Sequence, residues 1–290
     1  MDVREIDRSG GGIEPQFRAS HNVFMRQRRS WPIEVLLFCL LAVPLRAASD
    51  WKLIWSDEFN GEANSPPDPT KWTYDLGDGG WGNGEREVYT DSPENVFQDG
   101  AGHLVIRAQK TPTGYTSARI KTQNRFTVQY GKIEARIKIG KGQGLWPAFW
   151  MLGDNIVTAP WPECGEIDIL ENVGKEPAVA HGTANGPGYS GMHGIGEQTT
   201  LHGSPPLGDD FHIYSVEWSR HKVRFLIDGK AYNTVTPRDL PDRAKWVYDH
   251  PFYLLLNMAV GGSWPGNPDQ STVFPNDMLI DWVRVSQTSE

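Results

Sequence analysis

The sequence predicts an all-β fold built from two packed sheets, and three observations carry that prediction. Short runs of alternating apolar and polar residues recur between turn signals. Glycine and proline are plentiful, at 31 and 21 of 290 residues, and they punctuate those runs. Long segments with the 3.6-residue period of an amphipathic helix are absent. The clearest strand runs from Tyr130 to Ile139. There Ile133, Ala135, Ile137 and Ile139 face one way and Glu134, Arg136 and Lys138 the other. Val223, Phe225 and Ile227 alternate similarly before Asp228-Gly229, a dipeptide that favours a type I′ hairpin turn, and Ala231 to Val235 is the return strand. Phe252 to Val260 is nearly all apolar, as a strand buried on both faces should be. Ile280 to Val285 supplies a last short strand. Antiparallel strands of this kind imply a two-sheet sandwich or jelly roll.

A formal charge of −8 argues against a nucleic-acid partner, which needs a basic face, and is compatible with a neutral polysaccharide. The basic residues of the first 48 positions have another explanation. Residues 1–24 show no apolar period, and from Met25 a pattern emerges: Arg26, Arg28 and Arg29, the apolar run Val35 to Val43, then Ala47 and Ala48. That is the order of a secretory signal peptide, and the run is too short to anchor in a bilayer. Residues 1–48 are therefore expected to be a leader, with Met25 as an alternative start, and residues 49–290 a single exported domain, monomeric and free of the membrane. Loss of residues 1–47, with seven Arg against five acidic residues, takes the charge from −8 to −10. Cys39 leaves with the leader and Cys164 remains alone, so no internal disulfide forms and stability must come from the core.

The segment Trp161-Pro-Glu-Cys-Gly-Glu-Ile-Asp-Ile-Leu-Glu171 holds the candidate chemistry. In a flat strand Glu166 and Asp168 share a face and Glu171 points the opposite way. A β-bulge adding one residue near Leu170 turns Glu171 onto the face of the other two. Three carboxylates on one face repel, which raises one pKa while another group stays ionised, a division suited to a paired acid and base. The spacing alone fits a solvated outer face equally well. Trp146, Trp150 and Trp161 favour a site, because large flat rings stack on sugars, although each also suits a core.

The stretch GEIDILENVG, preceded by GLWPAFWMLG and followed by HGTANGPGYSG, resembles glycoside hydrolase family 16, in particular its laminarinase-like branch. So do WSDEFNG, GWGNGEREVYT, YTSARI, FHIYSVEW, PFYLLLNMAVGGSWPG and MLIDWVRV, which extend the likeness over nearly all of residues 51–287. The resemblance implies a β-jelly roll with a concave substrate cleft and a secreted, retaining endo-acting β-1,3-glucanase. It implies Glu166 as nucleophile, Glu171 as general acid and then base, and Asp168 as the group that tunes Glu166. Asn83, Arg119, Trp146, Trp150, Trp161 and Asn185 match positions near the sugar. A structural calcium ion is implied at Glu58, Gly102 and Asp281, with no cofactor for catalysis. Two departures concern specificity: Asn185 stands where similar sequences often have His, and Asn83-Gly84-Glu85 replaces Asn-Asn-Glu. A non-catalytic β-glucan-binding protein, or a same-fold hydrolase of agarose or mixed-linkage glucan, are the rival readings. Gly188-Tyr-Ser-Gly-Met192 lacks the last glycine of a nucleophile elbow, and the eight histidines form no zinc motif.

Overall fold

The computed structural model describes residues 50–288. The expected leader, with Met25, Cys39 and the Val35–Val43 run, falls outside them. Seventeen strands are described. They begin with β1 (Trp51–Asp57), β2 (Thr73–Asp75), β3 (Glu87–Tyr89), β4 (Val96–Gln98), β5 (Leu104–Thr111), β6 (Gly114–Ser117), β7 (Arg119–Lys121), β8 (Gly131–Lys138) and β9 (Leu145–Gly153). They continue with β10 (Glu166–Glu171), β11 (Val179–Asn185), β12 (Ile195–Thr200), β13 (His212–Ser219), β14 (Lys222–Ile227), β15 (Lys230–Val235), β16 (Phe252–Val260) and β17 (Asn276–Thr288). Among the described residues helix is confined to short 3₁₀ turns.

The strands form two sheets, a jelly roll. One runs β15-β14-β13-β8-β17-β5-β6-β3, with β1 added on β17 and β4 on β5. The other runs β12-β11-β10-β9-β16-β7-β2 and carries the acidic strand near its middle. Pairing is antiparallel except between β3 and β6. Ile133, Ala135 and Ile137 of β8 are buried against the second sheet's Phe149, Met151, Leu254 and Leu256 in one continuous core. The alternation in Tyr130–Ile139 thus sorts residues as expected. Asp228 and Gly229 both have positive φ, 48° and 74°, the backbone that a type I′ turn requires.

All nine residues of β16 are buried, but for different reasons on its two faces. Phe252, Leu254, Leu256, Met258 and Val260 enter the main core. Tyr253 and Leu255 join Leu152 and Cys164 in a small cluster under Trp150. The last strand is longer than its apolar stretch. β17 pairs with β8 on one edge and with both β5 and β1 on the other, and its register shifts between Ile280 and Trp282. Its polar start is hidden in the sequence pattern because Asp277 turns outward to Arg107, at 2.7 Å.

The bulge in β10 is present one position earlier than Leu170. Asp168 pairs with Trp150 and Leu170 with Phe149, so Ile169 is the surplus residue. Ile169 and Leu170 are both buried in the core. Ile169→Ala keeps the extra residue and should cost about 2–5 kcal/mol in urea unfolding while preserving the fold. Deletion of Ile169 removes the surplus residue and leaves Glu166, Asp168 and Glu171 on one face in strict alternation, so the shortened strand should still unfold cooperatively. Loss of cooperative unfolding in the deletion variant would show that the bulge does not set the strand's facing.

Candidate active site

Gly165, at φ +74°, makes the turn that feeds β10, and a side chain there would be strained whatever the space. From it the strand presents Glu166, Asp168 and Glu171 to the outer face of the seven-stranded sheet, while Ile167, Ile169 and Leu170 face the core. Trp146, Ala148, Trp150 and Leu152 of β9 share that outer face. Registered neighbours then form rows across the sheet. One row runs Gln198, His181, Glu171, Ala148, Asn257, Arg119 and Asp75, crossing all seven strands. The next holds Thr183, Asp168 and Trp150, and a third Asn185, Glu166 and Leu152. Six strand spacings of about 4.8 Å give a floor on the order of 30 Å wide. Above it lies an open cleft of about 1150 Å³.

The three carboxyl groups differ in their partners. One Asn185 amide nitrogen donates to both Glu166 Oε1 and Asp168 Oδ2, each at 2.8 Å. Trp146 Nε1 donates to Glu171 Oε1 at 3.0 Å. Burial pushes Glu166 up to about 7, opposed by the Arg119 charge and by hydrogen bonds from Asn185, Trp161 and Asp168. Burial and the Glu166 charge push Glu171 higher, to about 8, with only Trp146 opposing. Asp168 is raised well above the ordinary carboxylate range by burial and by both glutamates. Glu166 thus has more neighbours that favour its charged form than Glu171 has, and Asp168 is held toward its protonated form. The rings help to create this difference. Trp264 packs edge-on against both Trp146 and His181, with centroids 5.3 and 4.9 Å apart, and so braces the indole that donates to Glu171.

Every sugar-site residue expected from the sequence lines this cleft: Asn83, Arg119, Trp146, Trp150, Trp161 and Asn185. Arg119 lies between two indoles, 5.0 Å from Trp81 and 4.6 Å from Trp150, with its Nε 3.0 Å from Asp75. Trp161 is 45% exposed, so this ring at least is not a core residue. The calcium residues behave differently. Glu58 follows β1, Gly102 precedes β5, and Asp281 sits where β17 changes partner between those strands. Both carboxylates there are already engaged. Arg284 donates to the two oxygens of Glu58 at 3.0 and 2.7 Å, and Arg136 to Asp281 at 2.6 Å. Among the described residues no three His, Cys, Asp or Glu side chains form a metal cage. As arranged, both carboxylates of the expected set take their positive charge from arginine.

A β-sandwich that sets paired carboxylic acids of unequal proton affinity in an open, tryptophan-lined cleft defines a glycoside hydrolase. The chain belongs to glycosyl hydrolases family 16, whose profile matches residues 84–284. It is 37% identical over 273 residues to a beta-glucanase of Rhodothermus marinus, covering 90% of this chain and 94% of that protein. It is 34% identical to glucan endo-1,3-beta-glucosidase A1 of Niallia circulans, covering 82% of this chain and 38% of that longer protein. Among solved structures, the laminarinase catalytic domain from Thermotoga maritima MSB8 superposes with a TM-score of 0.77 at 47% identity, covering 83% of this chain and all of that one.

Sequence reasoning passes over several cleft residues: Trp81, Glu85, His181, Asn257 and Trp264. Asn257 carries the one available signal, a lone amide within the apolar run Phe252–Val260. Glu87, beneath Glu85, is buried and accepts Val260 N–H at 2.6 Å. Burial and the Glu85 charge push its carboxyl up to about 8. A raised carboxyl pKa favours the folded state while the proton is bound. That contribution is complete below the ordinary value of 4.5 and is lost as pH rises through about 8. Glu87→Gln keeps the acceptor without the charge, so its melting temperature should fall less between pH 5 and pH 9 than that of the parent protein. Parallel curves would contradict the buried neutral carboxyl.

Proposed function

We propose that this protein is a secreted, retaining endo-β-1,3-glucanase. The observation that carries the reading is the bulged strand, which sets Glu166 and Glu171 on one cleft face with different proton affinities. In the first step Glu171 gives its proton to the glycosidic oxygen while ionised Glu166 attacks the anomeric carbon. Protonated Asp168 and the Asn185 amide hold Glu166 in place and temper its charge. In the second step Glu171, now a base, takes a proton from water, and the glycosyl-enzyme bond is broken with overall retention. A cleft open across seven strands supports internal cleavage, since the chain can continue past both ends of the reacting pair. The β-1,3 linkage rests on the similarity to proteins named as laminarinases and endo-1,3-beta-glucosidases. Secretion rests on the leader pattern of the Arg-rich stretch, the Val35–Val43 run and Ala47-Ala48.

Glu166→Gln and Glu171→Gln should each lower kcat/KM on laminarin by at least about 100- to 10,000-fold without loss of fold. The parent protein should show a bell-shaped profile. Activity rises as Glu166 loses its proton and falls as Glu171 loses its own, with apparent values that belong to the coupled pair. Proton NMR of the first products should show the β-anomer before mutarotation. Early α-anomer would refute retention. Full activity in both Gln variants would refute the carboxylate assignment, and binding without cleavage by the parent protein would favour a glucan-binding role. Rapid cutting of agarose with none of laminarin would refute the substrate alone.

A further inference from the structure

One wing of the cleft, where β9, β16 and β7 meet the turn before β3, is held by a chain of hydrogen bonds whose direction is fixed at both ends. The Trp150 indole can only donate, and its Nε1–H goes to Asn257 Oδ1 at 2.8 Å. That contact orients the Asn257 amide, so its nitrogen donates to Tyr89 Oη at 3.0 Å. The Tyr89 hydroxyl then has one proton to give, and it goes to Glu85 Oε2 at 2.9 Å. The other Glu85 oxygen accepts from Asn83 Nδ2, also at 2.9 Å. Every donor in the chain points toward Glu85.

A second, aromatic connection closes the loop. The Tyr89 ring packs on Trp81, 5.4 Å between centroids, and Arg119 bridges Trp81 back to Trp150. Trp81 itself sits at φ 48°, a left-handed backbone that a residue of this size adopts only when its surroundings hold it there. Trp81, Asn83, Arg119 and Trp150 all line the cleft, whereas Tyr89 is buried behind them.

We infer that Glu85 is the positioning residue of this wing. As a carboxylate it is the common acceptor that fixes Asn83 on one side and, through Tyr89 and Asn257, the plane of Trp150 on the other. It thereby sets the shape of the subsites that hold sugar units beyond the reacting pair. A glutamine offers one acceptor oxygen where two are required, so one branch of the chain loses its partner. The inference rests on the proposed glucanase reading and adds a role outside the carboxylates that do the chemistry.

The test compares KM and kcat for Glu85→Gln, Tyr89→Phe and the double variant on β-1,3-gluco-oligosaccharides of increasing length. In Glu85→Gln, KM for the longest chains should rise about 10-fold, the size of one hydrogen bond to a charged group. For substrates too short to reach this wing KM should stay within about twofold, and kcat should change little throughout. Tyr89→Phe should show the same length dependence. The double variant should be no worse than the poorer single one, because both break one chain. A uniform loss at every length, or additive effects of the two changes, would mean a merely structural role and overturn the inference. An unchanged KM on the longest chains would overturn it as well, with the glucanase reading intact. Failure of the parent protein to cut any of these substrates would overturn both.

Discussion

Ile169 has no partner on β9, and the bulge that absorbs this surplus residue decides which way Glu171 points. Were Ile169 held in the ladder with no bulge, period-two alternation would send Glu171 into the core beside Phe149 and Met151, where an ionisable group has no compensation. With it, Ile169 and Leu170 both reach the core and the third carboxyl joins the first two. The surplus persists against β11, where Asp168 pairs with Thr183 and Glu171 with His181. The aligned rows on either side of the bulge follow from this same register. They place Asn185 within reach of two carboxyls and bring the indole of Trp146 to the third.

Crowding three acids on one strand is costly, and the fold offsets the cost by sharing protons rather than by importing charge. Arg119 is the cation acting on Glu166, and it is itself held by Asp75 and two indoles. The neighbours supply hydrogen bonds and apolar walls instead. Because Glu166 gathers more donors than Glu171, the two separate in proton affinity although burial raises both. Glu85 and Glu87 repeat the crowding at the edge of the cleft, with one carboxyl lining the site and one buried and held toward its neutral form. Such residues trade stability at higher pH for a fixed site geometry.

Much of this is legible in the residues themselves. Strict alternation in Tyr130–Ile139 and the Asp228-Gly229 dipeptide specify a strand and a hairpin without knowledge of the rest of the chain. The odd spacing of Glu171 from Glu166 and Asp168 demands a bulge, but either neighbour of the core could absorb it, so Ile169 and Leu170 are distinguished only by pairing with β9. The full length of β17 is obscured because its polar residues are satisfied by distant partners such as Arg107. The arginines at the expected calcium residues are hidden for the same reason: Arg284 is 226 residues from Glu58 and Arg136 is 145 from Asp281, and they meet only through β1, β8 and β17. Asn257 lies 168 residues from Tyr89, and the chain that links it to Glu85 exists only once β16 lies beside the turn before β3.

The central claim is that the bulge gathers Glu166, Asp168 and Glu171 into one electrostatic unit. Carbon-13 NMR titration of carboxyl-labelled glutamate, in the parent protein and in Glu166→Gln, measures that coupling at Glu171 directly. The account requires Glu171 to titrate far above 4.5 in the parent protein, at about 8, and to fall when the Glu166 charge is removed. A Glu171 that titrates near the ordinary glutamate value in both proteins would contradict it.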